Sequence, residues 1–185
     1  PKFRKDPEKD LDLLLAPYAI TDLKGRGALW KDCLAWCDAP DAVSLRCITG
    51  RGGSGKTRFA LELVHHLRTS ADWDARFVRF DLHEPINLWV ASRGDANRVL
   101  LVFDYAGDQV TPLAGSLRRL ANNPPQDEKR RLRILLLART ASWDDVWLRM
   151  IEPSSTIEES VAGLFSPREP IHLDALNQDD RVAVF

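Results

Sequence analysis

Eight residues constrain this chain more than any others: Gly50-Arg-Gly-Gly-Ser-Gly-Lys-Thr57. They fit the spacing G-x-x-x-x-G-K-[ST], in which a glycine loop joins a strand to a helix and cradles phosphate. The flanks supply that context. Val43 to Thr49 (VSLRCIT) alternates with strand character, and Thr57 to Leu67 (TRFALELVHHL) carries the apolar stripe of an amphipathic helix. Glycines let the backbone curl so that successive N–H groups turn inward toward phosphate oxygens. The helix that follows adds the positive end of its dipole. Lys56 is expected to reach the β- and γ-phosphates as a point charge, and the Thr57 hydroxyl to ligate magnesium. The expected nucleotide-binding set is Gly50, Arg51, Gly52, Gly53, Ser54, Gly55, Lys56, Thr57 and Arg58. Within it, Arg51 and Arg58 are either phosphate contacts or solvated charges.

Further along the chain, short apolar segments alternate with helical ones. Arg76–Leu82 (RFVRFDL), Arg98–Phe103 (RVLLVF) and Arg133–Ala138 (RILLLA) have the near-continuous apolar character of strands buried on both faces. Pro170–Leu173 (PIHL) reads as a last short strand. Gly27–Cys37 and Leu113–Ala121 have apolar residues at helical spacing. The expected fold is therefore the α/β three-layer sandwich of P-loop NTPases, with a mostly parallel sheet between helices. Ligands on such sheets bind at the carboxyl ends of the strands. Asp104 and Arg139 both fall there, as does the loop at Gly50. Asp104 is the expected second magnesium ligand, and Arg139 the group that reports a γ-phosphate. Lys56, Asp104 and Arg139 are the expected catalytic residues, with Thr57 and Asp104 on the metal.

Composition narrows the alternatives. With 44% hydrophobic and 29% charged residues, the chain has the make-up of an ordinary globular domain. Its net charge of -1 gives no electrostatic footprint for nucleic acid or an anionic membrane. The charged N-terminus PKFRKDPEKD lacks the apolar core of a signal peptide, which makes the cytoplasm the expected compartment. Residues 1–20 read as a tail or linker and residues 21–185 as the core domain, expected to be part of a longer protein. Cys33 and Cys37 lie one helical turn apart without a second Cys or His pair, so they read as small buried apolar residues rather than a zinc half-site. His65 and His66 lie late in the helix after the loop and read as surface residues.

The similarity reaches beyond the glycine loop. The segments GRGGSGKTRFALEL, RVLLVFDYAG and RILLLART resemble the first nucleotide motifs of the STAND NTPases, the signal-transduction ATPases related to NB-ARC and NACHT proteins within the AAA+-like branch. GRGALWKDCLAWC resembles the helix before the P-loop in that family, ADWDARFVRFDL its second strand, and IHLDALNQDD the stretch leading to its helical lid. The resemblance implies an ATP/ADP-Mg switch, with Gly50 to Thr57 as Walker A, Asp104 as the Walker B acid and Arg139 as the sensor. It also implies further domains and nucleotide-dependent self-association. The chain departs from the pattern at Tyr105, where many relatives carry a second acid. Asp108 and Glu84 are the nearby acids that could replace it. Slow hydrolysis is the expectation.

Two other readings use the same residues. Asp104–Gly107 is also D-x-x-G, and Asn177–Asp180 loosely resembles a guanine reader, which together would make a GTPase. That reading leaves RILLLAR unexplained. A nucleotide-gated interaction module without useful turnover would keep the site and differ only in catalysis. A nucleic-acid motor finds no support, since no basic patch is interleaved with aromatics. The tryptophans sit at core-like spacings, and Trp143 and Trp147, one turn apart, read as a face packed on the sheet or on a further domain.

Overall fold

The computed structural model describes residues 25–69, 72–78, 97–124, 130–142, 146–151 and 161–175. In chain order these form α1 (Gly27–Asp38), β1 (Val43–Thr49), α2 (Lys56–Thr69), β2 (Trp73–Phe77), β3 (Arg98–Phe103), α3 (Val110–Asn122), β4 (Arg131–Ala138), α4 (Val146–Ile151) and β5 (Ile171–His172). Short 3-10 turns lie at Ala106–Gln109 and Val161–Leu164. The five strands run β2-β3-β4-β1-β5 across one sheet, and every neighbouring pair is parallel. β4 therefore stands between β1, which feeds the glycine loop, and β3, which leads into Asp104.

Side chains alternate across each strand, and the two sets build separate cores. Val43, Leu45 and Cys47 of β1, Val99, Leu101 and Phe103 of β3, and Leu132, Ile134 and Leu136 of β4 pack with α3 and α4 on one face. Ile48, Leu100, Val102, Leu135 and Leu137 pack with α1 and α2 on the other. This is the three-layer arrangement expected from the sequence. No helix among the described residues is long and apolar enough to cross a membrane.

β1 and β3 occupy the expected spans. β2 does not: it starts at Trp73, three residues before the expected Arg76, and the described strand ends at Phe77. Trp73 and Ala75 enter the core, while Asp74 and Arg76 emerge on the opposite face and pair with each other. Among the described residues β2 is an edge strand paired with β3, and an edge strand tolerates this polar face. The expected tail at residues 1–20, together with Glu84, Trp143 and Asn177–Asp180, lies outside the described residues.

β4 also begins early, at Arg131, two residues before the expected Arg133, and Arg133 itself is an interior residue. Its side chain is fully buried. Its guanidinium donates to the carbonyls of Trp36 (2.9 Å), Ala39 (2.6 Å), Asp41 (2.9 Å) and Leu132 (3.1 Å). Trp36 and Ala39 lie at the end of α1, where carbonyls lack helical partners and the helix dipole is negative. One cation thus satisfies a helix terminus at the foot of the sheet. The guanidinium carbons of Arg133 and Arg46 lie 6.0 and 5.0 Å from the centre of the Trp36 ring, and its indole N–H donates to Ser44 Oγ at 2.8 Å. Arg133→Met removes every one of these donations while keeping the stem. It is expected to cost on the order of 3 kcal/mol, because buried carbonyls lose a charged donor. In a chain of this size that lowers Tm by roughly 6–12 °C. Thermal unfolding measures it, and an unchanged Tm would show that the cap contributes nothing.

Candidate functional site

The loop from Gly50 to Gly55 opens at the carboxyl end of β1. Gly50, Gly53 and Gly55 have φ of +152°, +78° and +91°, values that side chains with a Cβ rarely adopt. Ser54 N–H donates to Arg51 O (3.1 Å), closing the turn, and Phe59 N–H bonds to Gly55 O (2.8 Å) as α2 begins. The start of the loop is pinned on both sides. Gly50 N–H donates to Arg139 O at 3.1 Å, which ties the loop to the end of β4. On the β5 side, a Cβ on Gly50 would lie 2.4 Å from Leu173 O and 2.8 Å from Ser54 Oγ.

The charged and hydroxyl groups meet where α2 starts. Lys56 Nζ donates to the carbonyls of Gly50 (2.5 Å) and Arg51 (3.0 Å). Burial holds its ammonium below the usual lysine pKa; Asp104 opposes that shift and Arg139 adds to it. Thr57 Oγ1 donates to Asp104 Oδ2 at 2.9 Å, so the first turn of α2 is joined to the end of β3 across the site. The other carboxylate oxygen accepts from Tyr105 N–H at 3.0 Å. Tyr105 is 58% exposed and is the one non-glycine residue among those described with a positive φ, 56°. Such a conformation marks a locally strained turn directly after the acid.

The sheet order brings Lys56, Thr57 and Asp104 together, and Arg139 lies close enough to act on Lys56 electrostatically. Its side chain is exposed at the end of the strand between the loop and Asp104. Arg51 is exposed, and its carbonyl serves the loop. Arg58 turns along α2 to pair with Glu62 at 2.5 Å. Asp108 is exposed in the 3-10 turn after Tyr105. His65 and His66 are exposed, the latter edge-on to Trp30. The cysteines are interior residues: burial raises the Cys33 thiol and pushes Cys37 and Cys47 up to about 12. Among the described residues no cluster of three or more His, Cys, Asp or Glu forms a separate metal site.

Two residues gain importance only in three dimensions. Arg26, just before α1, donates to Ser54 O (3.2 Å) and to Asp174 O (2.5 Å), bridging the glycine loop to the chain leaving β5. No local pattern distinguishes Arg26 from other surface charges. Trp147 carried a sequence signal for packing, but not for where it packs. Its indole N–H donates to Thr140 O at 3.0 Å, and its ring lies beside Gly107.

No family model and no curated protein sequence matches the chain. Solved structures do. The ORC2 protein of Aeropyrum pernix, in its ADPNP–ADP complexes, superposes with a TM-score of 0.62 at 17% identity, covering 93% of this chain and 53% of that one. Cdc6p from Pyrobaculum aerophilum gives 0.60 at 14% identity, covering 93% and 51%. The fold is that of the P-loop NTPases. The chain spans about half the length of each of these two proteins. The Gly50–Thr57 segment runs from the end of β1 into α2, and the parallel sheet carries Asp104 and Arg139 to the same edge.

Proposed function

We propose that this chain is the ATP/ADP-Mg-binding core of a cytoplasmic, STAND-like switch that hydrolyses its nucleotide slowly. The observation that carries the proposal is the Thr57–Asp104 contact beside Lys56. A hydroxyl and a carboxylate held together form a hard oxygen donor pair suited to magnesium. Among the described residues, the neighbouring ammonium has loop carbonyls and the more distant Asp104 to balance it. Ser54 Oγ is buried with no hydrogen-bond partner among the described residues, an orphan acceptor and donor within the loop. These features fit a nucleotide phosphate with its metal. Thr57 and Asp104 would hold the ion, which when bound supplies charge neutralisation at the β- and γ-oxygens. Lys56 would bind the phosphates, and Arg139 would respond to the terminal one.

Tyr105 supports slow turnover. It occupies the position after Asp104, offers no carboxylate to orient water, and spends its backbone N–H on the Asp104 side chain. The D-x-x-G reading has less support, since its glycine, Gly107, lies against the Trp147 ring. The similarity to the ORC2 protein, solved with ADPNP and ADP, agrees with an adenine nucleotide. Partners would be further domains of a longer chain and a second copy assembled when triphosphate is bound.

Thermal unfolding with ATP-Mg, ADP-Mg and GTP-Mg, paired with a single-turnover assay, tests this. Saturation at about a hundred times Kd stabilises by about 2.7 kcal/mol, which should raise Tm by several degrees for the adenine nucleotides. Preferential GTP binding would overturn the ATP assignment. Rapid turnover abolished by Asp104→Asn would overturn the slow switch, and no hydrolysis at all would leave a pure nucleotide-gated module.

A further inference from the structure

Asp104 and Arg139 stand at the ends of different strands, β3 and β4. Strand pairing fixes the two strands from Arg98↔Arg131 to Phe103↔Leu136, but it stops short of both residues. Beyond that register each continues into a turn: Tyr105 to Gly107 after the acid, and Arg139–Thr140 after the arginine. One side chain touches both turns. Trp147, in α4, donates its indole N–H to Thr140 O at 3.0 Å. The same ring edge lies 3.6–3.8 Å from where a Gly107 Cβ would sit, an ordinary packing distance that places the indole beside the Asp104 turn. α4 is itself anchored. Leu148 and Ile151 are fully buried in the α3-side core. Arg118 of α3 donates to the carbonyls of Met150 and Ile151 at the other end of the helix.

We infer that Trp147 is the positioning residue that locks the Asp104 turn to the Arg139 turn and carries the state of the γ-phosphate side of the site into α4. The inference rests on the proposed roles of Asp104 and Arg139. In this proposal Trp147 acts through Thr140 and Gly107. Three facts make it a coupling rather than simple packing. Its polar contact is made with the residue next to Arg139. Its apolar contact is made with the turn that holds Tyr105 in a left-handed conformation. Both contacts lie at the carboxyl edge of the sheet, whereas Leu148 and Ile151 of α4 are buried in the core below. If the Asp104 turn moves when a terminal phosphate and metal arrive, the indole cannot keep both contacts unless Thr140 and Arg139 move with it.

The test compares ADP-Mg and a non-hydrolysable ATP analogue with magnesium on the intact protein, measuring Kd for each by titration calorimetry. Trp147→Phe keeps an aromatic ring against Gly107 and removes the N–H. The expected result is ADP affinity within about twofold of wild type and triphosphate affinity lowered about tenfold, the value of one well-placed hydrogen bond. In the double variant with Arg139→Ala, Trp147→Phe should add nothing further, since its effect passes through that arginine. An unchanged ADP-to-triphosphate ratio overturns the inference. So does an equal loss for both ligands with a lowered Tm, which would make Trp147 merely structural. Full additivity with Arg139→Ala overturns it as well. Wild-type protein that binds neither ligand overturns the proposed function itself, an outcome distinct from all three.

Discussion

Lys56→Ala is expected to weaken ATP-Mg binding by about a hundredfold or more, because each hydrogen bond to a charged group contributes roughly 1.5–3 kcal/mol. The nucleotide-free geometry explains why so much depends on one amine. Lys56 Nζ is held by two loop carbonyls, with burial lowering its pKa and only Asp104 opposing. In the proposed complex, phosphate oxygens would provide the missing negative charge. The fold should survive the substitution, since the loop keeps its Ser54–Arg51 turn and its Gly50–Arg139 tie. Calorimetric titration with ATP-Mg measures the loss, and an affinity within threefold of wild type would remove Lys56 from the site. The pH dependence has a defined sign. Phosphate favours the ammonium, so binding takes up a proton once pH exceeds the lowered Lys56 pKa. Affinity should therefore fall with rising pH from that point upward, and Lys56→Ala should flatten the slope. The stability of the nucleotide-free protein should change oppositely over the window between the lowered and ordinary lysine values. There the unfolded chain holds more protons than the folded one, so stability rises with pH.

How much of this was legible beforehand depends on whether a feature is local. The β1–loop–α2 unit is continuous in sequence, and its spacing is a direct consequence of how backbone amides surround phosphate. β3 was legible for a similar reason: Val99 to Phe103 are buried on both faces, leaving no polar residue to interrupt the run. β2 was misplaced because an edge strand can hide one face behind an Asp74–Arg76 pair. β4 was cut short by two residues because Arg131 and Arg133 break the apolar run on either side of Leu132, and the burial of Arg133 rests largely on carbonyls far away in sequence, at and just beyond the end of α1. The strand order was out of reach too, since pairing β1 with β4 links residues about ninety positions apart. That order matters for the site. It puts Arg139 between the loop and Asp104, which the sequence placed only at the same edge. Arg26 and Trp147 illustrate the remaining gap. Each acts through a backbone carbonyl, at Ser54 and Asp174 or at Thr140, and carbonyls leave no trace in the identity of the residue that bears them.

Gly50→Ala is expected to be the most damaging single-methyl change in the loop, and neighbouring glycines supply its controls. The new Cβ would sit 2.4 Å from Leu173 O, a backbone atom that cannot rotate away, and 2.8 Å from Ser54 Oγ. The φ of +152° adds strain. Conformational strain of about 1–3 kcal/mol and overpacking of a similar size together give on the order of 4 kcal/mol. That corresponds to a Tm lowered by roughly 8–16 °C. Relief requires either β5 to move out or the loop to leave Arg139 O, so nucleotide affinity should fall with stability. Gly53→Ala and Gly55→Ala meet open space but keep φ of +78° and +91°, so each should cost only the left-handed penalty of about 1–2 kcal/mol. Gly52→Ala meets nothing within 4 Å and has no positive φ, so its stability should stay within about 0.5 kcal/mol of wild type. The ranking Gly50, then Gly53 and Gly55, then Gly52 separates two roles of a glycine loop: close approach to another backbone, and access to left-handed conformations. Thermal unfolding of the four variants reads it directly. A Gly50→Ala protein that melts with Gly52→Ala would show that β5 does not pin the start of the loop, and that Gly50 is needed only for its flexibility.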